Sequence, residues 1–251
     1  MGDKAETYLA QGELDAADQI LRKAEPQHID EMAGEYVNFL LYRRQFDAAL
    51  AFASRTIQAA PQRPDLSVAE DHIWLGSLQI LAGHSAEGQA LLEQARKTLM
   101  TIQNGGDTNL RLFDSILISS AALGDHTEVE RQAAALRSAT GRDLWRAPES
   151  EEVIAVSYAI LGDADRAVPL LERCLSAFYR RSVTPALLRL DPAWDKIRAD
   201  PHFQELVKRT NEASKARCAV SPNEGSRRHC AAPRGCPRRQ SDLSPVANRG
   251  A

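Results

Sequence analysis

One short turn, written five times, limits what this chain can fold into more than any other feature. The stretches are AQGELDAADQIL at 10–21, YRRQFDAALAFA at 42–53, LAGHSAEGQALL at 81–92, ALGDHTEVERQA at 122–133 and ILGDADRAVPLL at 160–171. Each ends one run of helical apolar periodicity and begins another. Glycine stands at four of the joints (Gly12, Gly83, Gly124, Gly162), and Arg44 takes that place in the second. A helix commonly ends on a left-handed residue, a region glycine enters without steric penalty. The Asp or Glu that often follows suits the positive end of the next helix dipole.

Two further positions recur with the joint. Five residues on come Ala17, Ala49, Gly88, Val129 and Ala167, small or slim side chains that let two antiparallel helices approach closely. Four residues later, on the same helical face, lie Leu21, Ala53, Leu92, Ala133 and Leu171. The joints are 32, 39, 41 and 38 residues apart. Self-similarity at that period predicts an all-α fold, an α-solenoid of about five antiparallel helix pairs. Composition agrees: Ala and Leu are plentiful and aromatics are only 6%, which favours helices over sheets.

The first two units, Ala10–Pro26 and Arg43–Pro61, resemble the tetratricopeptide repeat family. They show its Gly, aromatic-or-Leu, Ala and closing Pro in order, and Phe46, Ala49 and Pro61 keep its spacing. Unit three adds Trp74, Leu75 and Gly76 in its first helix, and unit five adds Tyr158. Units three to five lack the closing proline and exceed the family's period of about 34 residues, as longer helices or loops would require. The resemblance covers roughly residues 3–180 and implies a right-handed solenoid.

Residues 183–210 close the pattern. Asp191-Pro192 and Asp200-Pro201 are two helix starts, because aspartate accepts from orphan N–H groups and proline at the first helical position loses no hydrogen bond. Two short helices are expected, carrying Trp194 and Ile197 on one and Phe203, Leu206 and Val207 on the other, as a cap over the exposed end of the array. The run from Leu190 to Leu206 also resembles the ending of repeat regions attached to bacterial serine/threonine kinases, adenylate cyclases and winged-helix regulators. That implies a bacterial signalling setting. The family's first helix would begin about two residues before Met1. The chain is therefore expected to be the C-terminal portion of a longer signalling protein, or a reading frame whose start lies further upstream.

Residues 1–210 make the expected folded domain and 211–251 a disordered basic tail. The tail carries +5 of formal charge and the rest −8, for −3 overall. Nucleic acid is therefore not an expected partner of the folded part. The tail is rich in Pro, Gly, Ser and Arg and lacks apolar periodicity. Its Cys218, His229, Cys230 and Cys236 match no common zinc spacing, and no metal is expected. No apolar run approaches the ~18–20 residues that span a bilayer. The N-terminus has no signal core, and only Cys174 of the four cysteines lies in the periodic region, which together predict a cytoplasmic protein.

Catalytic groups do not converge in the sequence. Histidines 28, 72, 84, 126, 202 and 229 are scattered, and no phosphate loop, nucleophile elbow or dinucleotide fingerprint is present. Gly105-Gly106 before Asp107 and Thr108 reads as a helix stop, a turn and an N-cap. Cys174 reads as a packed core thiol. The expectation is a non-enzyme without cofactor that binds a partner protein or peptide, with self-association also possible. By register, the resemblance implies partner-binding roles for Asn38, Tyr42, Glu70, Ser77, Arg111, Asp114 and Glu152 on a concave face. Ile73, Ile80, Leu81, Ile118, Val156 and Ile160 would make that face partly apolar. A chaperone-tail clamp is not expected: Gly34 stands where its lysine belongs, and Arg111 alone is a weak carboxylate anchor.

Overall fold

The computed structural model describes residues 2–23, 32–60, 63–177 and 183–219, with side chains as far as 213. Pro26, Pro61, His28, His229, Cys230 and Cys236 lie outside the described residues, as does the side chain of Cys218. The fold is all-α, with no strand among the described residues. Its helices are α1 (Gly2–Gln11), α2 (Leu14–Lys23), α3 (Ala33–Tyr42), α4 (Phe46–Ala59), α5 (Asp65–Leu81) and α6 (Ser85–Asn104). They continue as α7 (Leu110–Ala122), α8 (His126–Thr140), α9 (Arg146–Leu161), α10 (Ala164–Ser176), α11 (Pro185–Leu190), a 310 helix (Pro192–Ile197) and α12 (Pro201–Ala219). No described helix is long and apolar enough to cross a membrane.

All five joints have one geometry. At the last, the Gly162 N–H donates to the Ala159 carbonyl (3.0 Å) and the Asp163 N–H to Tyr158 (2.9 Å). The same pair recurs at Gly12/Glu13, Arg44/Gln45, Gly83/His84 and Gly124/Asp125. This double bond, from the left-handed residue and the one after it back into the last turn, satisfies carbonyls that a helix end otherwise leaves open. It requires positive φ, and Gly162 (φ 87°) supplies it without a clash. Arg44 adopts φ 59°, the sole positive φ outside glycine among the described residues. The next helix then starts on a side-chain cap only where the residue allows it. Asp125 accepts from Glu128 N–H and Asp163 from Arg166 N–H, whereas Gln45 and His84 make no such bond.

The helices on either side of each joint pack on each other, and first helices meet across neighbouring units: α1 on α3, α5 on α7, α7 on α9. The small residues after the joints are all buried, Ala17, Ala49, Val129 and Ala167 completely. Gly76 and Gly88 mark a close approach of α5 and α6. A Cβ on Gly88 would stand 2.6 Å from the Gly76 carbonyl oxygen, and one on Gly76 would stand 2.8 Å from that of Gly88. The core passes from unit to unit in three clusters: Leu78 of α5 joins the cluster of α1–α4, and Leu117 of α7 joins that of α8–α10.

Three sequence expectations are corrected. The link before α7 is capped by Asn109, whose side chain accepts from Arg111 N–H, and not by Asp107 or Thr108. Asp107 instead accepts from Asn109 N–H (2.8 Å), so the turn after Gly106 needs two more residues before the helix can begin. The region 183–210 is not two short helices. It holds α11, begun by Thr184-Pro185 with the same cap chemistry as the Asp-Pro steps, then the 310 helix, then a long α12. Finally, the tail does not begin as disorder at 211. α12 continues through Glu212–Ala219, because Glu, Ala, Lys and Arg are good helix formers and the first proline beyond them is Pro222. Contacts divide the chain between Asn211 and Glu212.

The closing segment does more than cover the last pair. Trp194 (2% exposed), Ile197, Phe203 and Leu206 join the core of α9 and α10. Asp191 accepts from Ala193 N–H, and Asp200 from His202 and Phe203 N–H. The Arg198 guanidinium donates to the carbonyls of Leu188 (3.1 Å), Arg189 (2.7 Å) and Asp191 (2.8 Å), which pins α11 to the 310 helix. The same segment reaches the first units. α11 packs on α1, and the Thr184 hydroxyl donates to the Ala10 carbonyl (2.5 Å). A side chain at position 12 would be crowded, since a Cβ there would lie 3.0 Å from the Ala186 methyl. Arg44 bonds both Asp195 oxygens, one of them at 3.0 Å.

Candidate functional site

The residues expected on a shared face belong to the first helices of successive units. Asn38 and Tyr42 lie on α3, Glu70 and Ser77 on α5, Arg111 and Asp114 on α7, and Glu152 on α9. They fall into two groups. Where α5, α7 and α9 meet, the Arg111 guanidinium forks onto Glu70, with Nε 3.1 Å from Oε1 and Nη2 on Oε2. Asp114, one turn after Arg111, faces the first turn of α9. Burial pushes its carboxyl up to about 6, Glu149 and Glu70 add to the rise, and Arg146 opposes it. Its Oδ1 is buried with no hydrogen-bond partner.

Tyr42 and Glu152 meet the closing segment instead. Burial raises the Tyr42 hydroxyl far above its usual pKa, helped by the Asp191 and Glu152 carboxylates. Glu152 Oε2 accepts from the Val183 N–H at 3.3 Å. Asp191 is itself held above the usual carboxylate range, chiefly by burial, against the pull of the Ala193 N–H, Arg44 and Arg198. Asn38 is exposed on α3 and Ser77 half-buried on α5. Of the expected apolar positions Ile73 is buried, while Ile80, Leu81, Ile118, Val156 and Ile160 are half-buried.

Arg146, Glu149 and Asp191 are the charged neighbours that sequence reasoning missed. The signal for Glu149 was present. Glu70, Arg111 and Glu149 each stand thirteen residues before a joint, so they hold one register on α5, α7 and α9. Asp191 gave no such signal, since it comes to Tyr42 only through closure of the chain. Cys174 is 1% exposed, with Sγ 3.7 Å from the Pro148 carbonyl oxygen, a packed thiol. No group of three His, Cys, Asp or Glu among the described residues is placed to hold a metal ion.

Chemically, the face has Arg111 already neutralised by Glu70, so that guanidinium is not spare for an anionic ligand. What it presents where α7 meets α9 is carboxylate, on Asp114 and Glu149, and the charge of Asp114 grows as pH rises through about 6. Compared with known proteins, the chain matches no family model, no curated protein and no solved structure.

Proposed function

We propose that this chain is a non-catalytic interaction module, a tetratricopeptide-like solenoid of five helix pairs. It holds a segment of another polypeptide along the face its first helices share. The observation that carries the reading is the row Glu70, Arg111 and Glu149. One register position of three successive first helices is charged: Arg111 pairs with Glu70, and Asp114, one turn on from Arg111, feels the Glu149 carboxylate of the next first helix. Charged side chains recurring once per helix pair give an extended peptide successive contacts, which is how arrays of this kind recognise partners. The Asp114 and Glu149 carboxylates favour a segment bearing Lys or Arg, because a cation brought to Asp114 relieves a desolvated charge.

The test uses the full chain against arrays of extended peptides that differ only in basic residues. Lys/Arg-bearing peptides should bind, more tightly at pH 7.5 than at pH 5, and Asp114→Asn with Glu149→Gln should weaken binding at least tenfold. Peptides that bind equally well to that double variant would sink the assignment of this face.

A further inference from the structure

Leu144 and Trp145 are 88% and 74% exposed, while the next most exposed large apolar side chain among the described residues, Val68, is 38%. The two stand side by side in the link between α8 and α9. They are not on a loose loop: Asp143 Oδ1 accepts from the backbone N–H groups of Trp145 (2.9 Å) and Arg146 (3.1 Å). Arg142 and Arg146, both exposed, flank the pair, and Asp143 between them is committed to those backbone bonds. A tryptophan and a leucine held out into water between two arginines have the composition of an interface anchor.

A surface of complementary character lies on the same molecule. An open cleft of about 640 Å³ at the α1–α2 joint is lined by Gly12, Glu13, Leu14, Asp15, Ala16 and Arg43. Its apolar part is Leu14, Ala16 and the bare backbone of Gly12, and its carboxylates, Glu13 and Asp15, are exposed. Arg43 pairs with Asp15, and its guanidinium lies 5.3 Å over the Phe39 ring, a flat cation of the kind on which an indole stacks.

The knob is not seated in the cleft of its own chain, since Leu144 and Trp145 stand 88% and 74% exposed. We infer that the occupant is a second copy of this chain: Leu144 and Trp145 of one molecule seat in the Gly12–Arg43 cleft of the next, with Arg142 meeting Glu13. The contact is head-to-tail, so each pair keeps one free knob and one free cleft for further association. Two anchor side chains bury well under the ~1,200 Å² of a stable complex, which makes the association weak and driven by concentration.

Sedimentation velocity on the full chain over a hundredfold concentration range tests this independently of peptide binding. The weight-average mass of the wild type should rise with concentration and fall back with added salt, while Trp145→Ala stays monomeric. Glu13→Lys and Arg142→Glu should each weaken association alone, and an equimolar mixture of the two should recover it with the variants alternating, since the reversed cleft of one meets the reversed knob of the other and their unaltered knob and cleft also match. Far-ultraviolet circular dichroism checks that each variant keeps its helix content. A wild type that is monomeric throughout, a Trp145→Ala variant that associates as well as wild type, or a mixture that does not recover would each overturn the inference.

Discussion

Asp114 concentrates the tension of the shared face in one side chain. Its carboxyl is pushed from 3.8 up to about 6, first by burial and then by Glu149 and Glu70, with Arg146 pulling the other way. An acid with a raised folded pKa holds its proton more tightly folded than unfolded. Stability is therefore lost as pH rises between the two values, and the loss is complete above about 6. Asp114→Asn removes that loss. Denaturation at pH 7.5 should find the variant more stable by roughly 1–3 kcal/mol, a range trimmed for partial exposure, with little difference at pH 4. An unchanged midpoint at pH 7.5 would mean the carboxylate is well compensated where it stands. Arg44 is the other residue under strain. A left-handed non-glycine costs about 1–2 kcal/mol, and an ion pair as exposed as Arg44 with Asp195 returns about 0–1 kcal/mol. The exchange of glycine for arginine thus gains a tie to the closing segment more than it gains local stability.

Between elements, α5 and α6 cross closely at Gly76 and Gly88. Helix propensity alone favours alanine over glycine by about 1 kcal/mol, but a Cβ at Gly88 would meet a backbone oxygen at 2.6 Å and Ile80 Cγ1 at 2.7 Å. A backbone atom cannot step aside as a flexible side chain can, so the clash should win. Gly88→Ala is expected to lower stability by about 1–3 kcal/mol in urea denaturation; a gain would show that the helices slide apart at little cost. Much of this scale was legible beforehand. The five joints, the small residues after them and both Asp-Pro starts are local signals, set by φ sterics and by capping within a few residues. Thr184-Pro185 carries the same local signal as the Asp-Pro steps. The length of α12 is less legible, because the Pro, Gly, Ser and Arg content of the tail masks the helix propensity of 212–219.

For the molecule as a whole, the closing segment couples the ends of the helix array. In an open array each unit touches only its neighbours, and damage at one end stays there. Here 183–200 contacts α9 on one side and α1, Ala10 and Arg44 on the other. Trp194→Ala should lower stability by roughly 3–5 kcal/mol and should also speed amide exchange in α1–α4, far from the substitution. Acceleration confined to α9–α12 would show that the closure carries no load. This coupling also divides the expected face. Glu70, Arg111 and Asp114 remain together where α5, α7 and α9 meet, while Tyr42 and Glu152 are taken up against Val183 and Asp191. By itself the sequence determined the repeating joint, the helical class and the register that aligns Glu70, Arg111 and Glu149, because each depends on residues at short, fixed spacing. Only the tertiary structure decided that the last segment returns to the first, for that contact joins residues up to 174 positions apart through the accumulated angles of every intervening helix pair.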